Sequence, residues 1–279
     1  QYEAYRQVTE TFPESAVMIR TFDVGGDKFP VFLNMPREEN PFLGWRAVRV
    51  CLDQPDLFRP QLRALLRATA YGDLRIMLPL VNDVDEVLRV RTLLKEEEDK
   101  LADDGLPFNS GYKLGLLIET PAAALDAVEL ARHADFFSIG TNDLVQYTLA
   151  VDRNNTRLAH LFNPFHPAVV RQLHQVSRVA RAAGIEVSVC GELAANPLGA
   201  FLLLGLDIHS LSVAWPSLPE IKKVIREFRI ENARNAAASA LAAPTSKEVT
   251  ARLVEGVGDS IDLSAFAGRW SLNVPDPGG

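Results

Sequence analysis

Short runs of apolar, β-branched residues alternate along this chain with longer amphipathic stretches, and that alternation limits the fold more than any other feature. The strand-like runs are Val17–Val24, Arg46–Cys51, Leu74–Val81, Lys113–Glu119, Asp135–Thr141, Ile185–Cys190 and His209–Val213. Helical patterns separate them over Pro60–Ala70, Asp83–Leu101, Ala122–Arg132, Ala168–Ala183 and Leu198–Leu204. After Asp83, the apolar Val84, Val87, Leu88, Val90, Leu94 and Leu101 follow the helical period of about 3.6 residues, so one face is built for burial. Asn196-Pro197 puts a cap before a first-turn proline, and Ser217-Leu-Pro-Glu220 has the spacing of a capping box. Strands and helices alternating in this way make a parallel sheet covered by helices, either doubly wound or curled into a barrel.

The placement of polar residues decides between the two. Nearly every strand-like run delivers a polar or ionisable group near its carboxyl end: Arg20 and Asp23, Arg46, Glu119, Asn142 and Asp143, Cys190 and Glu192. A barrel gathers its strand ends into one ring, where its active sites lie. A doubly wound sheet concentrates chemistry at one switch point, beside a G-x-G-x-x-G turn, and no such pattern follows a strand here. The expected fold is therefore α/β, a (β/α)8 TIM-type barrel. Seven runs fall one short of eight strands, and Tyr2–Thr11 reads as the helix that follows a first strand, so that strand is expected to lie outside this chain. The expected organisation is one barrel domain over 1–257, with alanine-rich helices at Ala236–Ala243 and Lys247–Val257, and a linker-like tail over 258–279. A start at Gln1 reads as a fragment or a processed product.

Composition narrows the partners. A net charge of −7 argues against nucleic acid, which wants basic excess, but leaves room for a small anion held by a few arginines. No apolar run approaches the roughly 18 residues of a membrane span, and the amino terminus lacks the order of a secretory signal. Two cysteines, Cys51 and Cys190, cannot build a disulfide framework, which fits free thiols in a reducing cytoplasm.

Glu119 and Asp143 stand at the ends of successive runs. Each alone could cap a following helix. Together they suit a hard divalent cation such as magnesium, which takes one or two carboxylates and completes its shell with water and phosphate. Arg20 and Arg46 occupy strand positions where an apolar residue is expected. A buried guanidinium needs an anion, either a carboxylate or phosphate ligand or an internal partner such as Asp23 or Glu119. Arg153 follows the Asn142-Asp143 loop closely enough to join it. Cys51 reads as a small buried hydrophobe, whereas Cys190, at a strand end among the arginines, could exchange a proton. Gly25-Gly26-Asp27-Lys28 is a turn that may only need positive φ. The five histidines are scattered and read as surface or helix-end residues.

Six segments in order carry a resemblance: Arg20-Thr-Phe-Asp-Val-Gly-Gly-Asp-Lys28, Glu39-Asn-Pro-Phe-Leu-Gly-Trp-Arg46, Ile118-Glu-Thr-Pro-Ala-Ala123, Phe136-Phe-Ser-Ile-Gly-Thr-Asn-Asp-Leu144, Tyr147-Thr-Leu-Ala-Val-Asp-Arg153 and Cys190-Gly-Glu-Leu193. From about Val17 to Phe228 the chain resembles the carboxyl-terminal domain of Enzyme I of the bacterial phosphotransferase system, a family related to pyruvate phosphate dikinase and phosphoenolpyruvate synthase. Asn163-Pro-Phe-His-Pro-Ala-Val169 leans toward the nitrogen-related paralogue. The resemblance implies that Arg20 and Arg46 hold the phosphate of phosphoenolpyruvate, that Asn142, Asp143 and Arg153 contact the substrate, and that Glu119 and Asp143 bind magnesium. It implies that Cys190 protonates the methylene carbon, giving pyruvate. The phosphoryl group would pass to a histidine on the protein's own amino-terminal domain, and from there to a histidine phosphocarrier protein, with the enzyme a homodimer. Nothing here matches the acceptor histidine or the arginine that ends the family's first strand, so this chain alone is expected to bind substrate without turning it over. A synthase or dikinase barrel, a magnesium-dependent 2-oxo-acid lyase and a purely dimerising module are the competing readings.

Overall fold

The computed structural model describes residues 1–25 and 38–261, and within them the alternation of the sequence becomes a sheet of six strands with helices between them. The strands are β1 (Val17–Arg20), β2 (Leu74–Leu78), β3 (Lys113–Ile118), β4 (Phe136–Gly140), β5 (Glu186–Cys190) and β6 (Ser210–Ser212). They lie side by side in chain order, β1-β2-β3-β4-β5-β6, and the β1–β2, β2–β3 and β5–β6 ladders are parallel. An order in which each strand sits beside its predecessor, with no reversal, is that of the (β/α) barrel family and not of a doubly wound sheet. The fold class read from the strand ends is borne out.

One run was misread. Arg46–Cys51 is not a strand: Arg46 makes a single antiparallel bridge to Gly25, and Val48–Asp53 then forms helix α2. Its Val48, Val50, Cys51 and Leu52 are all buried, and a short, largely buried helix shows the same apolar run as a buried strand.

The chain divides into two units, Gln1–Ile118 with Val128–Phe137, and Glu119–Ala127 with Ser138 onward. In the first unit, α1 (Tyr2–Thr11) and α4 (Val84–Asp103) both pack against α3 (Pro55–Ala68). Asp83 caps α4 by accepting from the Glu86 N–H at 3.1 Å, while Glu86 returns a carboxylate to the Asn82 N–H at 2.7 Å. Phe58, Leu62, Leu65 and Leu66 of α3 and Val87, Val90 and Leu94 of α4 are buried, as are Leu74, Ile76 and Leu78 on alternate positions of β2. Burial of each such side chain contributes about 1.5–3 kcal/mol. The contact of α1 is partly polar: Tyr2 and Tyr71 share a hydroxyl hydrogen bond of 3.0 Å, with Arg67 stacked 3.7 Å from the Tyr2 ring and Arg6 4.4 Å from the Tyr71 ring.

The second unit carries α5 (Pro121–Leu125), α7 (Thr141–Leu149), α8 (Pro167–Ala183), α9 (Glu192–Ala195), α10 (Pro197–Gly205), α11 (Leu218–Glu227), α12 (Ile230–Leu241) and α13 (Ser246–Val257); α6 (Ala127–Ala131) spans the junction of the two units. The alanine cluster is explained by packing: Ala233, Ala236, Ala237 and Ala240 are buried where α12 lies against α10 and α13. Asn196 caps α10 as expected, accepting from the Gly199 N–H at 2.9 Å. Ser217 does not close a capping box; it ends a 3-10 turn over Trp215–Ser217 and makes no side-chain cap. Among the described residues, no helix is long and apolar enough to cross a membrane. Residues 262–279 of the expected tail lie outside the described residues.

Candidate active-site residues at the strand ends

In the first unit, the β1 ladder finishes with the Thr21 N–H donating to the Met77 carbonyl at 2.9 Å, and the chain then leaves the sheet. The next residues deliver Asp23, whose buried carboxylate receives Arg46. Nη2 donates to Oδ1 at 2.8 Å and to Oδ2 at 3.1 Å, and Nε donates to Oδ1 at 3.2 Å. Both side chains are only 4% exposed. Arg20 approaches the same carboxylate at 3.2 Å, but its side chain is 41% exposed. The internal pairing left open by the sequence is therefore made with Asp23. Two guanidiniums thus converge on one carboxylate. The Phe42 ring lies 5.7 Å from the Arg46 guanidinium carbon.

The backbone around Arg46 is tightly constrained. Gly25 has φ +122°, and a Cβ there would lie 2.3 Å from the Arg46 Cβ, so glycine is required. Ala47 takes φ +54°, a conformation costing a non-glycine residue on the order of 1–3 kcal/mol. It is fixed by its N–H donating to the Val24 carbonyl at 2.8 Å. Gly26, Asp27 and Lys28 of the glycine turn lie outside the described residues.

In the second unit, Glu119 directly follows β3 and is 2% exposed. It is not the cap of the next helix, because Thr120 does that, accepting from the Ala123 N–H at 3.1 Å. Asp143, also buried, lies in the first turn of α7, where the helix dipole favours a carboxylate. Asn142 and Asp143 are thus helical residues one turn beyond the strand end. Arg153 Nη1 stands 3.6 Å from Asp143 Oδ1, which joins the two as the spacing suggested.

Cys190 ends β5, half-buried. Its sulfur accepts from the Ser138 hydroxyl at 3.6 Å and donates to the Ile139 carbonyl at 3.7 Å. Thr141 Oγ1 donates to the Cys190 carbonyl at 3.1 Å, and Asn142 Oδ1 accepts from the Glu192 N–H at 3.1 Å. Gly191 between them has φ +104°, and a Cβ there would meet Thr141 Oγ1 at 2.5 Å. The second unit thus holds Cys190 through Ser138 and Thr141, ties Asn142 to the Glu192 backbone and pairs Arg153 with Asp143. Those two hydroxyls were not singled out in the sequence; the signal was a hydroxyl inside the apolar run Phe136–Thr141. Among the described residues, no group of three or more His, Cys, Asp or Glu side chains is placed to hold a metal ion.

Cys51 is fully buried on α2, and burial, with the Asp23 charge nearby, pushes its thiol up to about 12. It is inert packing. His166 caps α8, accepting from the Ala168 N–H at 3.2 Å.

Parallel strands side by side in chain order, with Asp23 after β1, Glu119 after β3, Asp143 after β4 and Cys190 ending β5, define a barrel-type α/β protein. Residues 1–230 match the family described as PEP-utilising enzyme, PEP-binding domain, and the chain belongs to that family. Curated relatives include the phosphoenolpyruvate-protein phosphotransferases of Buchnera aphidicola (42% identical), Haemophilus influenzae (43%) and Staphylococcus carnosus (42%), each over 249 residues. These alignments cover 89% of this chain and 43–44% of the relatives, so the chain spans less than half the length of the curated proteins it matches. A solved citrate lyase of Burkholderia xenovorans shares the fold with a TM-score of 0.50, at 15% identity over 96% of this chain and 80% of its own.

Proposed function

We propose that this chain is the phosphoenolpyruvate-binding and dimerising domain of a cytoplasmic phosphoenolpyruvate-protein phosphotransferase. The observation that carries the reading is the family match across residues 1–230. The buried Arg46–Asp23 pair and the two buried carboxylates Glu119 and Asp143 support it, since a chain needing only packing would fill those places with apolar side chains. Arg20 and Arg46 receive the phosphate, and Asn142 and Arg153 hold the substrate. Glu119 and Asp143 offer the hard oxygen donors that suit magnesium, with water and phosphate completing the shell. Magnesium, when bound, neutralises charge on the transferred group. The bond between phosphorus and the enol oxygen breaks as a histidine nitrogen of the separate amino-terminal domain takes the phosphoryl group, and the electron pair stays on oxygen as the enolate of pyruvate. The Cys190 thiol gives its proton to the methylene carbon, and solvent restores it. The phosphohistidine then serves a histidine phosphocarrier protein. Most of the work is positioning and charge neutralisation.

Calorimetric titration of phosphoenolpyruvate into the chain, with and without magnesium, tests the proposal. Magnesium-dependent binding abolished by Arg46→Ala or Glu119→Gln is expected. Absence of binding, both in this chain and in a version extended upstream, would overturn it.

A further inference from the structure

Helix α3 carries one polar side chain deep in its buried face. Gln61 is 2% exposed, among Phe58, Leu62, Ala64 and Leu65. An unpartnered amide there would be costly, and Gln61 meets both demands. Its Oε1 accepts from the Phe22 N–H at 3.0 Å, and its Nε2 donates to the Tyr5 hydroxyl oxygen at 3.1 Å. The position of the first bond matters. Thr21 makes the last ladder bond of β1, so Phe22 is the first residue beyond the sheet, and Asp23 follows it directly. Asp23 in turn holds Arg46 through three hydrogen bonds and Arg20 at 3.2 Å.

We propose that Gln61 is a positioning residue for the Arg20–Asp23–Arg46 group, fixing the backbone beside Asp23 and tying it to Tyr5 of α1; the proposal rests on the phosphoenolpyruvate reading for its effect on affinity. An apolar residue would pack this helix face as well and leave the Phe22 N–H without its partner. Gln61 touches neither arginine. It acts on the carboxylate that aims them, and a misplacement of about 1 Å in such a group costs on the order of 100-fold.

The test compares the parent chain with Gln61→Leu, Gln61→Glu and Tyr5→Phe. Two readouts are used: phosphoenolpyruvate affinity by calorimetry with magnesium, and the Arg46 Nε–H resonance by nitrogen-15 NMR, assigned by its loss in Arg46→Lys. Gln61→Leu is expected to weaken phosphoenolpyruvate binding by up to about 100-fold and to shift the Arg46 resonance. Gln61→Glu, whose carboxylate accepts from both Phe22 and Tyr5, is expected to recover most of the affinity. Should Gln61→Leu fail to fold, Tyr5→Phe is expected to shift the same resonance, and an unmoved resonance there overturns the proposal. A folded Gln61→Leu with affinity within about two-fold of the parent, or with an unmoved Arg46 resonance, also overturns it. If the parent chain binds no phosphoenolpyruvate the functional reading falls, while the resonance still decides whether Gln61 positions Arg46.

Discussion

Replacing Asp23 by asparagine removes one charge and almost no volume, which makes it a clean probe of the buried arginine. In the parent, Arg46 and Asp23 are both 4% exposed and share three hydrogen bonds of 2.8–3.2 Å. The variant replaces this charged partner by a neutral one that accepts through a single oxygen. Breaking a buried pair from one side costs about 3–5 kcal/mol, because the remaining charge is still out of water. At about 2–4 °C per kcal/mol for a chain of this size, the melting temperature should fall by about 6–20 °C. Arg20→Ala, at a side chain 41% exposed, should cost less than about 1 kcal/mol, because water replaces its half of the interaction. The double variant Asp23→Leu/Arg46→Met should regain most of the stability lost in Asp23→Asn, since neither charge then remains to be buried. Calorimetric melts of the four proteins supply the data. A drop of less than about 2 °C in Asp23→Asn would refute the reasoning, because it would mean that Asp23 does not supply the compensating charge.

Two further outcomes can be measured on the same protein. Titration with an aromatic disulfide at pH 8 should modify Cys190 in the native state and Cys51 only after unfolding, since Cys51 is fully buried with its thiol pushed up to about 12. Asp207 meets Arg181 at 2.5 Å and Arg234 at 3.0 Å; burial pushes its carboxyl up, but the two arginines outweigh that and hold it below its ordinary value. A depressed carboxylate lends stability that is present above its unfolded pKa, about 3.9, and is lost as pH falls through the lower folded value. The urea midpoint of the parent should therefore exceed that of Asp207→Asn at pH 6, with the gap closing below about pH 4. A gap that stays constant with pH would rule the ion pairs out as its cause.

The strand–helix alternation was legible because it depends on local pattern, and so were Asn196 as a cap and Cys51 as packing. Arg46–Cys51 was not, because a run in which all residues but Arg49 are buried carries no period that separates strand from helix. The candidate site was legible as residue types at strand ends, and only partly as contacts. Arg153 could be joined to Asp143 because ten positions and one helix separate them. The choice of Asp23 as partner of Arg46 stayed open because the two lie far apart in sequence and meet beside the Gly25–Arg46 bridge. Gln61 left no trace at all, since a polar residue in an amphipathic helix looks the same whether it faces water or the core. Ser138 was similarly masked by its apolar neighbours.

The strand order has a consequence for how the protein is made. Since β1 to β6 lie side by side in sequence order, each described strand after β1 finds its neighbour already synthesised. The widest gap, from Val17 on β1 to Leu74 on β2, closes early in the chain, and later closures span shorter loops. Loop-closure cost grows only slowly with length, but non-local pairing slows folding and leaves edges exposed. A sheet that grows one edge at a time can follow the emerging chain from its amino end, each strand covering the edge its predecessor left open.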